Sequence, residues 1–176
     1  IDYVNEVDFA DIDEDFIAAE KKRVLAPTTR EDGIPPNQVE YKTRRLVNDY
    51  LQPPKVTRKM QLAQDRFAET RAVMENEMVA RNAHELMRSL EVSSIMDCAD
   101  MAAFASLFRT ESRWGLYHNR ADYPERDNEN WFCHSILSKD AAGQMTIKKK
   151  DVDPYIIPID EEEKDAYDKQ RIKAQA

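Results

Sequence analysis

The stretch "TRKMQLAQDRFAETRAVMENEM", Thr57 to Met78, decides the fold. Met60, Ala63, Phe67, Thr70 and Met74 recur in it at spacings of 3, 4, 3 and 4. Residues spaced in this way share one face of an α-helix, whereas a strand brings every second residue to a face. Polar and charged residues fill most of the positions between, so the seam predicts a long helix packed against others. Its neighbours in sequence repeat the theme. Val39, Leu46, Val47, Tyr50 and Leu51 outline a helix that begins at Pro36 or Asn37 and stops at Pro53-Pro54, because proline suits the first helical position and breaks the interior. Leu86, Leu90, Val92, Ile95, Met96, Ala99 and Ala103 outline another, from His84 to Ser112, whose small residues in "CADMAAFAS" let a neighbour come close. Three long helices with short links predict an antiparallel bundle. Met60, Phe67, Met74, Leu86, Leu90 and Ile95 are its expected core.

Outside the bundle the pattern changes. Asp8 to Glu20 carries six acids and no base, and Lys21, Lys22 and Arg23 follow. That polarity suits a helix macrodipole and predicts a short helix over Asp13 to Ala26, then a loop through Pro27 and "TREDGIPP". After Trp114, "HSILS" and "QMTIKK" are strand-like runs joined by "KDAAG", which predicts a hairpin. "DPYIIPI" reads as extended, and "DEEEKDAYDKQRIKAQA" as a solvated helix or frayed end. The predicted fold is mainly α: an antiparallel three-helix bundle with a short N-terminal helix and an extended C-terminal tail containing a small β-hairpin. The segments are 1–35, an acidic segment and linker; 36–113, the bundle; 114–158, the tail with its hairpin; and 159–176, a charged end.

Bulk composition excludes several functions. The chain has 176 residues and a net charge of −8. Nucleic acid is an unsuitable partner for so acidic a surface. No apolar run approaches the roughly 20 residues of a membrane span, and the acidic start is no signal peptide, which predicts a cytoplasmic protein. Cys98 and Cys133 are too few for a disulfide framework. Only three glycines occur, Gly33, Gly115 and Gly143, none near another. Phosphate-cradling loops need clustered glycines, so this segment is expected to bind no nucleotide cofactor itself.

Several apparent motifs fail on spacing. Asp11, Asp13 and Asp15 begin like a calcium loop, but Phe16 stands where glycine is needed and Lys22 where a bidentate Glu is needed. His84-Glu85 begins like a zinc-protease helix, but Arg88 occupies the second ligand position. Cys133 and His134 are adjacent on a strand and point to opposite faces, which disfavours a zinc site that uses both; nucleophilic catalysis by Cys133 would need a nearby base, for which His118 and His134 are the candidates. No catalytic or metal-binding residue is assigned. The run Glu111 to His134 is the densest in aromatic and charged groups, with both tryptophans and two of the three histidines. Arg113, His118, Arg120 and Arg126 could clamp an anion. The interleaved Glu111, Asp122, Glu125 and Asp127 favour instead a structural network, each Arg satisfied by a neighbouring acid. Trp, Tyr and Arg are also the residues enriched at interfaces.

The residues Glu111-Ser112-Arg113, Arg120, Asp122, Pro124, Arg126-Asp127, Trp131 and His134 form a pattern. It resembles the C-terminal signature of the flavoprotein subunits of succinate dehydrogenase and fumarate reductase. Those enzymes typically read "ESRGAHxR". Here Trp114 follows Arg113 and the gap to Arg120 is longer, which resembles the alpha subunit of adenylylsulfate reductase, as does "ARNAHELMR", Ala80 to Arg88. Leu116, Tyr117 and His118 depart from the aromatic run of the sulfur enzymes, so the substrate stays open. The resemblance covers roughly residues 36 to 157. It implies a full-length FAD-dependent oxidoreductase whose FAD and substrate sites lie in upstream domains, with an iron–sulfur subunit as electron partner. This segment would then pack on the flavin domain and be inactive alone. Arg113, Trp114, His118, Arg120, Arg126, Trp131 and His134 are the interface candidates; with the flavin domain absent, much of the surface around Arg113, Trp114, His118 and Arg120 is expected to be unpaired, mobile or borrowed by a crystal or dimer neighbour. The start without Met accords with a piece of something longer. A stand-alone helical interaction module is the alternative, and homo-oligomerisation is left open.

Overall fold

The computed structural model describes residue 6 and residues 11–152. "DPYIIPI" and the charged end lie outside the described residues. The described chain contains α1 (Glu14–Leu25), α2 (Pro36–Tyr50), α3 (Thr57–Glu77), α4 (Ala83–Phe108), the single turn α5 (Asn128–Trp131), β1 (Cys133–Lys139) and β2 (Met145–Asp151). α2, α3 and α4 pack on one another as the bundle, and the two strands pair antiparallel from Cys133 opposite Asp151 to Lys139 opposite Met145.

The caps explain two of the failed motifs. The Asp13 carboxylate accepts the Phe16 N–H at 2.9 Å and starts α1, which satisfies one orphan donor of the first turn. Asn82 does the same for the Glu85 N–H at 2.9 Å, and Glu85 accepts back from the Arg81 N–H at 2.8 Å. The acidic series and the His-Glu pair are therefore helix starts. The loop into α2 folds back on the end of α3. Ile34 and Glu77 share a 2.9 Å backbone bond, and Val79 donates to the Ile34 carbonyl at 3.0 Å. Arg30 donates to the Glu75 and Met78 carbonyls, as a base at a helix C-terminus should. Gly33 sits at φ +153°, where a Cβ would overlap the Glu77 carbonyl oxygen, so this approach needs glycine.

Met60, Ala63, Phe67, Thr70 and Met74 are all buried, as the spacing predicts. Val39, Leu51, Met78, Val92, Met96, Ala99 and Ala103 complete the core. The expected core needs one correction and two adjustments. Leu90 is 38% exposed, and Leu86 and Ile95 are only half-buried. α4 turns Ser89, Val92, Met96, Ala99, Ala103 and Ser106 inward; the small Ser89, Ala99, Ala103 and Ser106 let it lie close to its neighbours, while Val92 and Met96 fill the core. A second correction concerns the end of α4. The helix stops at Phe108, and Arg109 is already extended at φ −83° and ψ 107°. The residues to Ser112 leave the helix because Arg109 and Glu111 find better partners outside it.

Candidate functional site

The chain leaves α4 through a knot of buried charge. Glu111 is fully buried and accepts from Arg113 Nε at 2.6 Å and Nη2 at 2.9 Å, from Arg109 Nη1 at 2.6 Å, and from the Asp127 N–H at 2.9 Å. Burial alone would push this carboxyl up, but the bonds from Arg113, Asp127 and Arg109 outweigh it and hold the group below the usual carboxylate range. Arg109 also donates to the carbonyls of Trp131 at 2.8 Å and Cys133 at 2.7 Å. Its guanidinium stands 5.5 Å from the Trp114 ring centre and 5.3 Å from that of Trp131, both within cation–π range.

A second pair sits beside it. Arg120 is fully buried and donates from Nη1 to the carbonyls of Ser106 at 2.8 Å and Arg109 at 3.0 Å. The Ser106 carbonyl lies in the last turn of α4, where intrahelical donors run out, so Arg120 caps that helix from outside. Its other nitrogens hold Asp122 at 2.8 and 2.9 Å, and Asp122 accepts the Thr57 N–H at 2.8 Å at the start of α3. One ion pair thus clips the positive end of α3 to the negative end of α4. Arg120, and then Thr57, hold the Asp122 carboxyl far below its ordinary value. His118 is buried too, with Nε2 3.3 Å from the Arg109 carbonyl. Burial, and then the Lys55 charge, lower its pKa to about 4, so the ring is neutral and Nε2–H is the donor.

The predicted residues divide sharply. Arg113, His118, Arg120 and Trp131 are buried inside this chain, and Arg126 is half-buried and donates to Asn128 at 3.0 Å. Trp114 and His134 are exposed. The expectation that this cluster lies unpaired is corrected: among the described residues, every buried side-chain polar atom has a hydrogen-bond partner. The interleaved acids satisfy the arginines, as the spacing of Glu111 and Asp122 suggests. Arg109 and Lys55 were missed, because beyond the Glu111 pair Arg109 reaches the Trp131 and Cys133 carbonyls 22 and 24 positions away, and Lys55 reaches Ser106 51 positions away. The Lys55 amine donates to Ser106 Oγ at 2.9 Å, and burial, with the Arg120 charge, lowers its pKa.

Beside the knot is an open cleft of about 610 Å³, lined among others by Lys55, Ala105, Trp114, Tyr117, His134 and Val152. Trp114 stands on its rim at φ 60° and ψ 34°, the left-handed region that bulky residues avoid, and is 61% exposed; Tyr117 is 79% exposed. Among the described residues no group of three His, Cys, Asp or Glu is placed to hold a metal, and no helix is long and apolar enough to cross a membrane.

The described residues thus form a helical domain: a three-helix bundle, a knot of internally paired buried charges where the chain leaves α4, and an open cleft beside it. Residues 42–165 match the family described as "Fumarate reductase flavoprotein C-term", and the chain belongs to it. It is 35% identical over 68 residues to the succinate dehydrogenase flavoprotein subunit of Rickettsia conorii, which covers 39% of this chain and 11% of that one. It is 29% identical over 93 residues to the fumarate reductase flavoprotein subunit of Mycobacterium tuberculosis, covering 53% of this chain and 15% of the relative. Its fold matches adenylylsulfate reductase from Archaeoglobus fulgidus with a TM-score of 0.80 and 25% identity, over 86% of this chain and 26% of that one. The chain therefore spans only a small part of these relatives. It is a C-terminal flavoprotein-subunit domain of the fumarate reductase and succinate dehydrogenase family.

Proposed function

We propose that this chain is the part of an FAD-dependent oxidoreductase subunit that braces the flavin-bearing portion of the same polypeptide, and that it supplies no catalytic group. The observation that carries this reading is Trp114, a bulky side chain held at positive φ and 61% exposed beside Tyr117. Such a backbone costs on the order of 1–3 kcal/mol and is tolerated where it serves a function. Here it presents an aromatic ring on a rim. Arg113, His118, Arg120, Arg126 and Trp131 support that rim from below, and Trp114, Tyr117 and His134 make the contact. The described residues do not fit FAD: Gly33, Gly115 and Gly143 are scattered, and the N-terminus of α4 is closed by its own Asn82 cap.

FAD, the substrate site and an iron–sulfur electron partner belong, on this reading, to the upstream portion and a second subunit, in the cytoplasm. The Arg113 to Arg120 spacing and the likeness to adenylylsulfate reductase support that branch, and Leu116-Tyr117-His118 departs from it. The proposal therefore stops at the reductase class. Segments 1–35, 36–113, 114–158 and 159–176 stand as its proposed organisation. The test is Trp114→Gly in the full-length flavoprotein. Glycine accepts the positive φ, so folding of this region should hold, while flavin content after gel filtration should fall. Full flavin content and unchanged melting in that variant would sink the bracing role.

A further inference from the structure

α4 carries two apolar faces, and the bundle uses one. The inner face is Ser89, Val92, Met96, Ala99, Ala103 and Ser106. At 100° per residue, Ala83, Met87, Leu90, Ser94, Cys98 and Met101 fall on the opposite side. All six are exposed; Met87 is 48%, Leu90 38% and Met101 42% accessible. This stripe runs about 27 Å along the helix at 1.5 Å per residue and contains no charged residue. The acids that flank it are already engaged: Glu91 pairs with Arg88 at 2.7 Å and Asp97 with Arg71 at 2.8 Å. A surface helix ordinarily turns charge toward water, so one that is apolar on both sides is built to be covered on both.

We infer that this outer face of α4 is a helix-docking surface, and that its occupant is an uncharged helix of the upstream, flavin-bearing portion of the same polypeptide. The inference rests on the bracing role proposed above and enlarges it. Two observations select this occupant. The chain corresponds to only 26% of the adenylylsulfate reductase chain whose fold it matches, and it belongs to a family defined as C-terminal, so most of a relative's length lies upstream. The stripe also runs into the Trp114 rim: Ala105, one turn beyond Met101, lines the same cleft as Trp114. Ser94 and Cys98 form a shallow stretch between Leu90 and Met101, which lets a second helix axis come close.

Cys98 is an exposed free thiol in the middle of the stripe and reports on its covering. The experiment is maleimide labelling of the full-length flavoprotein, with Cys98 resolved by peptide mapping and a urea-unfolded sample as reference. Protection by about a hundredfold is expected in the native flavoprotein, since labelling then needs local opening. In the 176-residue chain alone, Cys98 should label within about tenfold of the unfolded reference, as an accessible thiol does. Ser94→Arg should leave the melting of this chain unchanged and abolish the protection in the full-length protein. Equal labelling of the native and unfolded flavoprotein overturns the inference. So does protection in this chain alone that grows with its concentration, which would make a second copy the occupant. A full-length protein that holds no flavin defeats the proposed function, whereas flavin retained beside a fully reactive Cys98 defeats only this surface.

Discussion

The bundle seam and the knot after α4 are both buried, and they are built from opposite materials. Phe67, Met60 and Met96 fill the seam with apolar volume. Glu111, Arg113 and Arg120 fill the knot with charge. Apolar packing is non-directional, so the seam gains from any side chain of suitable size and tolerates reshaping. A buried ion pair gains only when geometry is good and every remaining donor is used. Glu111 meets that condition through Arg109, Arg113 and Asp127, and Arg120 through two carbonyls, Thr57 and Asp122. The seam supplies general stability, whereas the knot fixes where the chain goes when it leaves the helix.

Removing one member of the knot should do the most damage. Glu111→Ala leaves two buried guanidiniums without their carboxylate and should cost about 5 kcal/mol, the upper end for a broken buried pair. Urea unfolding measures it, and a loss below about 1 kcal/mol, the scale of an ordinary exposed ion pair, would erase the distinction between the two regions. The seam should yield somewhat less to a single truncation. Phe67→Ala removes a fully buried ring and should cost about 3 kcal/mol. A cost under about 0.5 kcal/mol, typical of surface changes, would show that the seam is not the core.

Acid should separate the two regions without mutation. Folding holds His118 neutral by lowering its pKa to about 4, against 6.5 for a free imidazole. Between those values the unfolded chain binds more protons than the folded one, so stability is fully present above pH 6.5 and falls as pH drops toward 4. The loss approaches about 3 kcal/mol, at 1.36 kcal/mol per pKa unit. Glu111 and Asp122, whose pKa values are lowered, give up their own contributions as pH falls further. His118→Gln should flatten the first window in a plot of melting temperature against pH; an unchanged slope would place the sensitivity elsewhere. The smallest effect belongs to Leu90→Ala. Its side chain lies on the open face of α4, and the cost to this chain should be about 0.5 kcal/mol or less. A cost comparable with that of Phe67 would mean the outer face is already covered within this chain.

Much of this was legible in the chain itself. The 3–4 spacing from Met60 to Met74 marks a helix and its inner face, and the paired runs around "KDAAG" mark the hairpin. Glu111-Ser112-Arg113 with Arg120, Asp122 and Trp131 marks the family that residues 42–165 match. These are local patterns, and local periodicity reports on the residues that carry it. The end of α4 was not legible, because Arg109 leaves the helix for Glu111 and for the Trp131 carbonyl 22 positions away. Leu90 misled for a related reason. On a helix with two apolar faces, periodicity gives the angle between the faces and says nothing about which one is inside.

Local patterns therefore suffice for the helices, the hairpin, the family and the residue types gathered after α4. Tertiary structure decided which arginines are buried, which carbonyls they cap, and that Trp114 and Tyr117 are left at the surface. The physical reason is range. Helix periodicity and capping act over a few residues, whereas satisfying a buried charge requires partners that only the packed chain brings together, as Arg120 reaches Thr57 across 63 positions.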